Sequence, residues 1–312
     1  MGVVVRDYIV CYFDFLGQRS GLLKEVREAK DIAPLQPEVD KVSESIKTFN
    51  QLVRGARELI EKNPEKLLSM MKIPDASKGP LLDKTKSCHL GLQQFSDSTL
   101  FYASLEGEDC IGLGIFVSWC LLLAEDFIKL LAEHFMIRGG IAVGKGWEIE
   151  PDCLYGPVLE DVYAIESKIA EFPRIVISEN AYQRLGVLDL PQNLVSFNFK
   201  RSDYFTMDYD GVYILDYLSV PAIQWYEAWR SVRRDNLIQA FSESLRYICN
   251  EYNSLKEKVS QNPACAKDTR KLAYLMAYWQ QRMDAFIARF SARNEEQSKC
   301  DANDSDKLTT QG

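Results

Sequence analysis

The order of apolar periodicities along the first 143 residues constrains the fold more than any single motif does. Tyr8 to Phe15 is apolar on both faces, as a central strand would be. Val42, Ile46, Phe49, Val53, Ala56 and Ile60 then recur every three or four residues and predict a helix from Val39 to Lys62. Pro64, Pro74, Gly79 and Pro80 mark residues 63 to 87 as an irregular connection. Two strands follow, His89 to Gln94 and Ser98 to Leu105, with Ser96-Asp97 at the tip of the hairpin. Cys110 to Phe135 predicts a long, largely buried helix, and Met136 to Val143 another strand.

A β-α-β-β-α-β order is that of the split βαβ, ferredoxin-like palm, an α+β fold. In it the end of the first strand lies beside the hairpin joining strands two and three. After the turn at Tyr155-Gly156-Pro157, Val158, Val162, Ile165 and Ile169 share one face of a helix over 158–170. Arg174 to Ser178 and Tyr213 to Leu218 are expected strands. Beyond Pro221 the periodicity is helical from Trp225 to Lys258 and from Lys271 to Arg293, with a loop at Pro263. The expected organisation is a catalytic domain over 1–220, a helical appendage over 221–293 and a disordered polar tail over 294–312.

The chain has 312 residues, 46% of them hydrophobic, enough for a substantial core. A net charge of -8 argues against nucleic acid as a partner, since duplex binding needs lysines and arginines to displace counterions. Eight cysteines without a CxxC pair and only two histidines, His89 and His134, argue against a zinc site and a histidine-based nucleophile relay. No signal-peptide order opens the chain, and the longest apolar stretch, Ile111 to Ala124, falls short of a membrane span. The expectation is a cytoplasmic protein with reduced thiols and no membrane partner.

Two acids sit beside runs that should be buried: Asp14 in Tyr12-Phe13-Asp14-Phe15-Leu16-Gly17, and Asp97 in Gln94-Phe95-Ser96-Asp97-Ser98-Thr99. A carboxylate in such a place needs a partner, a hydrogen bond or a cation, and the palm topology brings these two together. Divalent ions held between them suit phosphate chemistry: they neutralise a triphosphate, acidify an attacking hydroxyl and stabilise leaving pyrophosphate. The backbone of Leu16, Gly17 and Gln18, turning at the glycine, is placed to offer N–H groups to the phosphates. Alone, Asp14 reads equally well as a helix cap or strand-end carboxylate.

These segments resemble the class III nucleotidyl cyclases, whose first strand carries an aromatic-x-Asp-aliphatic-x-Gly motif and whose hairpin carries the second metal aspartate. The closer resemblance is to the pyrimidine cyclases of bacterial Pycsar antiphage systems. It rests on Tyr12 to Gly17, Phe95 to Ser98, Ile137-Arg138-Gly139-Gly140-Ile141-Ala142-Val143-Gly144, Gly156 to Leu159, Tyr163 to Ser167 and Pro173-Arg174-Ile175. The resemblance implies a homodimer with composite sites, two Mn²⁺ or Mg²⁺ ions per site on Asp14, Phe15 and Asp97, and UTP or CTP as substrate. It also implies a 3′,5′-cyclic nucleotide product, cUMP preferred, that activates a separate effector protein.

The chain departs from the adenylyl and guanylyl cyclases where it would matter most. Glu160 and Ala164 occupy the places of their ribose-binding Asn and transition-state Arg. Either another cation, Arg138 or Arg174, serves, or the domain is a noncatalytic nucleotide sensor; both metal acids favour the first. Gln93 and Cys153 fall at the two base-reading positions, and the glutamine amide can both donate to and accept from uracil or cytosine. A diguanylate cyclase or polymerase palm is disfavoured by the hairpin sequence and by the lack of a basic track for a template.

Overall fold

A computed structural model of the chain describes residues 4–16, 25–70, 79, 82–83, 85–86, 88–95, 98–105, 109–189, 200–219, 221–223, 234–263 and 265–284. The first half keeps the expected order of strands and long helices, with one correction: Pro64 opens a short helix in its first turn, where proline is tolerated, instead of an irregular connection. The elements are β1 (Arg6–Leu16), α1 (Gln36–Lys62), α2 (Pro64–Met70), β2 (Leu90–Gln94), β3 (Ser98–Ser104), α3 (Asp109–Ala132) and β4 (Met136–Glu150). These strands stand in the order β2-β3-β1-β4, every neighbouring pair antiparallel. That is the ferredoxin-like arrangement, in which β1 lies between β3 and β4.

The pleat divides β1 between two environments. Ile9, Cys11, Phe13 and Phe15 face the long helices, and the Phe13 ring meets Phe49 of α1 at 5.1 Å and Phe127 of α3 at 5.7 Å, both edge to face. Tyr8, Val10, Tyr12 and Asp14 face the other way. Helix α3 is buried at every position from Ile111 to Ala124. Helix α3 ends at Ala132, three residues before the expected Phe135; Ile111–Ala132 is long and apolar enough to cross a membrane, yet its most apolar window lies wholly inside the protein.

β4 continues seven residues past the expected Val143, and the reason is packing against its glycines. A Cβ at Gly144 would lie 3.3 Å from Val158, and one at Gly146 3.1 Å from Leu154. These glycines let later elements lie close on the strand rather than ending it. The extension pairs with β5 (Cys153–Tyr155), a short strand that the sequence reads as part of a turn. Helix α4 (Pro157–Ala164) then closes in a π-helical turn, Ile165–Ile169, where a regular helix over 158–170 was expected. The Ala170 N–H donates to the Ile165 carbonyl at 2.8 Å, five residues back.

β6 (Ile175–Ile177) adds parallel to β4, and after α5 (Glu179–Leu185) and α6 (Arg201–Tyr204) the hairpin β7 (Phe205–Met207) and β8 (Tyr213–Leu215) completes the sheet. The helices α7 (Arg234–Val259) and α8 (residues 265–284) lie within the region expected to be an appendage. Phe241, Ile248, Tyr274, Leu275, Tyr278 and Trp279 belong to the same buried cluster as the sheet. Ser244 Oγ of α7 reaches the Ile128 carbonyl of α3 at 3.0 Å. Residues 294–312 and the aromatic run Trp225, Tyr226 and Trp229 lie outside the described residues.

Candidate active site

Asp14 sits two residues before the end of β1, flanked by Ser98 of β3 on one side and Arg138 of β4 on the other. Residues directly opposite in antiparallel strands share a face, with Cβ atoms about 5 Å apart. Carboxylate, hydroxyl and guanidinium therefore line one row across three strands. Asp97 lies outside the described residues, but its chain neighbour Ser98 is the residue facing Asp14. The Phe95 N–H donates to the Ser98 carbonyl at 2.9 Å, so only Ser96 and Asp97 connect the two strands of the hairpin.

Beside this row stands Glu166, carried by the π turn and nearly fully buried, in an ion pair with Arg138 Nη2. Burial raises the Glu166 pKa, and the Arg138 charge and hydrogen bond oppose that rise. Arg138 keeps 22% of its side chain exposed, and its Nε–H is buried with no acceptor among the described residues. Tyr12, one pleat before Asp14, packs edge-on against Tyr163 of α4 with ring centroids 4.5 Å apart. Burial pushes its hydroxyl pKa up to about 12, against a hydrogen bond with Ser98. Tyr12, Ser98, Tyr163 and Glu166 were not foreseen as site residues. Tyr12 could have been found from its i, i+2 relation to Asp14, which puts both on one face.

Gln93 of β2 stands opposite Leu100, which stands opposite Tyr12, so the glutamine shares the Asp14 face one row away. Its Oε1 is buried with no hydrogen-bond partner among the described residues. Asp152, which immediately precedes Cys153, accepts the Leu92 N–H at 2.9 Å and pairs with Arg57 at 2.9 Å. This brings β5, which carries Cys153, up to the outer edge of β2. Further up the same face Glu148 accepts a hydrogen bond from the Tyr102 hydroxyl and, at 2.7 Å, pairs with His89, fastening the β4–β5 arm over β2 and β3.

Arg174 is placed elsewhere. It is 3% exposed, pairs with Asp208 at 2.5 Å and Asp210 at 2.6 Å, and lies over the rings of Phe172 and Tyr274. Burial works against its charge, and hydrogen bonds to Asp210 and Asp208 outweigh it and raise the pKa. Tyr274 of α8 also donates to Asp208 at 2.8 Å, so these contacts clamp α8 to the β7–β8 turn. The structure brings together Asp14, Arg138 and the Gln93 row; Arg174 has its contacts on the α8 side.

Of the expected metal and phosphate positions, Asp14, Phe15 and the backbone of Leu16 are described; Gly17 and Gln18 lie outside. Among the described residues no group of three or more His, Cys, Asp or Glu side chains is placed to hold a metal ion. What Asp14, the Phe15 carbonyl and Asp97 offer is all oxygen, the donor type that Mg²⁺ and Mn²⁺ take. Such ions need only one or two protein carboxylates when substrate phosphates complete the shell. The donor chemistry fits.

No protein-family model matches this chain, and no curated protein does. Among solved structures it is similar to the monomeric guanylyl cyclase domain of the RhoGC fusion protein from the aquatic fungus Blastocladiella emersonii. The two are 13% identical with a TM-score of 0.38, over 69% of this chain and 98% of that one. It is also similar to the guanylate cyclase domain of RhGC from Catenaria anguillulae in complex with GTP, at 15% identity and TM-score 0.29, over 58% of this chain and 84% of that one. At these values the likeness carries no weight for the chemistry, and the strand order and register define the fold on their own.

Proposed function

We propose that this chain is a metal-dependent nucleotidyl cyclase of the class III type. The observation that carries the reading is the register Asp14 to Ser98, which sets the first-strand acid against the residue next to Asp97 in a ferredoxin-like sheet. The preferred substrate is UTP, converted to 3′,5′-cyclic UMP and pyrophosphate as a messenger in antiphage defence, with CTP as the alternative. The enzyme works as a cytoplasmic homodimer that reaches its effector through the cyclic nucleotide, and dilution should lower its specific activity.

The ribose 3′-oxygen attacks the α-phosphorus, the bond to the β-bridging oxygen breaks, and pyrophosphate leaves with that electron pair while the hydroxyl proton passes to water. Asp14, Asp97 and the Phe15 carbonyl would hold Mg²⁺ or Mn²⁺, which when bound would supply acidification of the hydroxyl and screening of the departing charge. Arg138 supplies fixed positive charge beside Asp14, where negative charge builds in the transition state. Gln93 offers an amide oxygen to a pyrimidine N–H donor, and its lack of a partner among the described residues supports that role.

The test is incubation of purified protein with ATP, GTP, CTP and UTP and Mn²⁺, with products separated against cyclic-nucleotide standards. One cyclic pyrimidine, absent with Asp97→Ala, is expected. Binding of a triphosphate without turnover by folded protein would instead make the domain a sensor.

A further inference from the structure

We propose that Glu166 is a positioning residue that holds the Arg138 guanidinium on the Asp14 face of the sheet. The inference rests on the cyclase reading of the site and assigns a part of it to a residue that touches no substrate.

Three independent features of the fold converge on this carboxylate. The first is the backbone that carries it: α4 widens into a π turn at Ile165–Ile169, an uncommon conformation. The second is the approach of that turn to β4. A Cβ at Gly140 would come within 2.7 Å of the Val162 carbonyl oxygen and 2.9 Å of Ile165 Cγ2. Only glycine lets the turn lie this close, two residues from Arg138 on the same face.

The third is electrostatic. Glu166 is 6% exposed, and a carboxylate so placed is costly unless paired. Its partner comes from the adjacent strand and stands across from Asp14. Arg138 thus stands between two acids, Glu166 buried and Asp14 half-buried. The ion pair between Nη2 and Glu166 Oε1 draws that end of the guanidinium toward the π turn. The buried Nε–H, without an acceptor among the described residues, is then a donor that a phosphate oxygen can satisfy. A flexible arginine would sample many orientations before meeting the α-phosphate; a held one meets it already oriented.

The experiment uses the full chain as wild type, Glu166→Gln, Arg138→Ala and the double variant, assayed for pyrophosphate release with Mn²⁺. Melting temperatures and equilibrium binding of the unreactive 3′-deoxy-UTP are measured alongside. Glu166→Gln is expected to lower kcat by about 10- to 100-fold, with KM and the affinity for 3′-deoxy-UTP changed by less than about threefold. In the Arg138→Ala background the same substitution should cost less than about twofold more, because its effect passes through that arginine. Glu166→Asp, which keeps the charge and withdraws it by one methylene, should give an intermediate loss and serves if the glutamine variant does not fold. Turnover by wild type that Glu166→Gln leaves unchanged overturns the inference alone, as do fully multiplicative effects in the cycle. A wild type that turns over no triphosphate overturns the cyclase reading, and the inference falls with it.

Discussion

Gly140→Ala tests the close approach of α4 to the sheet, because two glycines of this chain predict opposite signs for the same substitution. A methyl group at Gly140 would stand 2.7 Å from a backbone oxygen and 2.9 Å from the branched Ile165 side chain. Ordinary contacts between heavy atoms lie at about 3.5–4.0 Å, so the α4 end must withdraw by about 0.8–1.3 Å. Overpacking of this kind costs about 1–3 kcal/mol, and the lost freedom of the unfolded glycine returns about 0.4–1 kcal/mol. The net destabilisation is centred near about 1.3 kcal/mol and at most about 2.6 kcal/mol, a fall in Tm of roughly 3–5 °C at the centre and no more than about 10 °C, at about 2–4 °C per kcal/mol. Gly55 lies exposed in α1 with nothing within 4 Å of its added Cβ. There alanine should stabilise by about 0.5–1 kcal/mol, from helix propensity and unfolded-state entropy together. Both variants can be read in one thermal melt followed by circular dichroism. A Gly140→Ala protein melting at or above wild type would refute the packing argument, and with it the reason given for glycine two residues after Arg138.

Asp14→Ala should lower cyclase turnover by roughly 10³-fold, several kcal/mol of metal-held charge stabilisation, while the melt shifts little, which activity and circular dichroism together check. Trp279 is fully buried on α8 with its ring 4.9 Å from Phe241, so Trp279→Ala should cost about 3–5 kcal/mol in urea unfolding. Hydrogen bonds from Arg174 hold the Asp210 pKa below the usual aspartate range. A lowered folded value means that the stabilisation is present above the unfolded pKa of about 3.9 and is lost as pH falls through the folded one. The urea midpoint of wild type should therefore fall more steeply below about pH 4 than that of Asp210→Asn.

The palm topology was legible because its signals are local. The double-sided apolar run of β1, the three-four spacing of α1 and the long apolar α3 each declare their class within a dozen residues. The end of β4 was not legible, because Gly144-Lys145-Gly146 carries the composition of a terminator. Whether such glycines stop a strand or admit a neighbour depends on Val158 and Leu154, which only the folded chain brings there. The π turn left no mark, since Val158, Val162, Ile165 and Ile169 fit a regular helix as well. β7 is three residues long and carries no periodicity to read. Within the site, Asp14 stood out as a charge beside apolar neighbours. The surroundings of Arg174 did not, because Asp208, Asp210 and Tyr274 lie 34 to 100 residues further along the chain. Arg138 and Arg174 look alike in sequence, and their different partners separate them.

The burial of the apolar window within Ile111–Ala132 has a consequence for how the protein is made. Part of what covers this helix comes from α7, whose Ser244 bonds to Ile128, and α7 is in turn packed by α8 through Phe241 and Trp279. The described part of α8 runs to residue 284, 152 residues after Ala132. At about 5–20 residues per second, translation leaves this apolar segment without its final cover for roughly 8–30 s. A nascent helix that passes for a membrane span during that interval is a ready client for chaperones that bind apolar segments, and for mistaken delivery to the membrane. Codon choice and chaperone supply downstream of Ala132 should therefore govern the yield of folded protein more than the same changes made upstream.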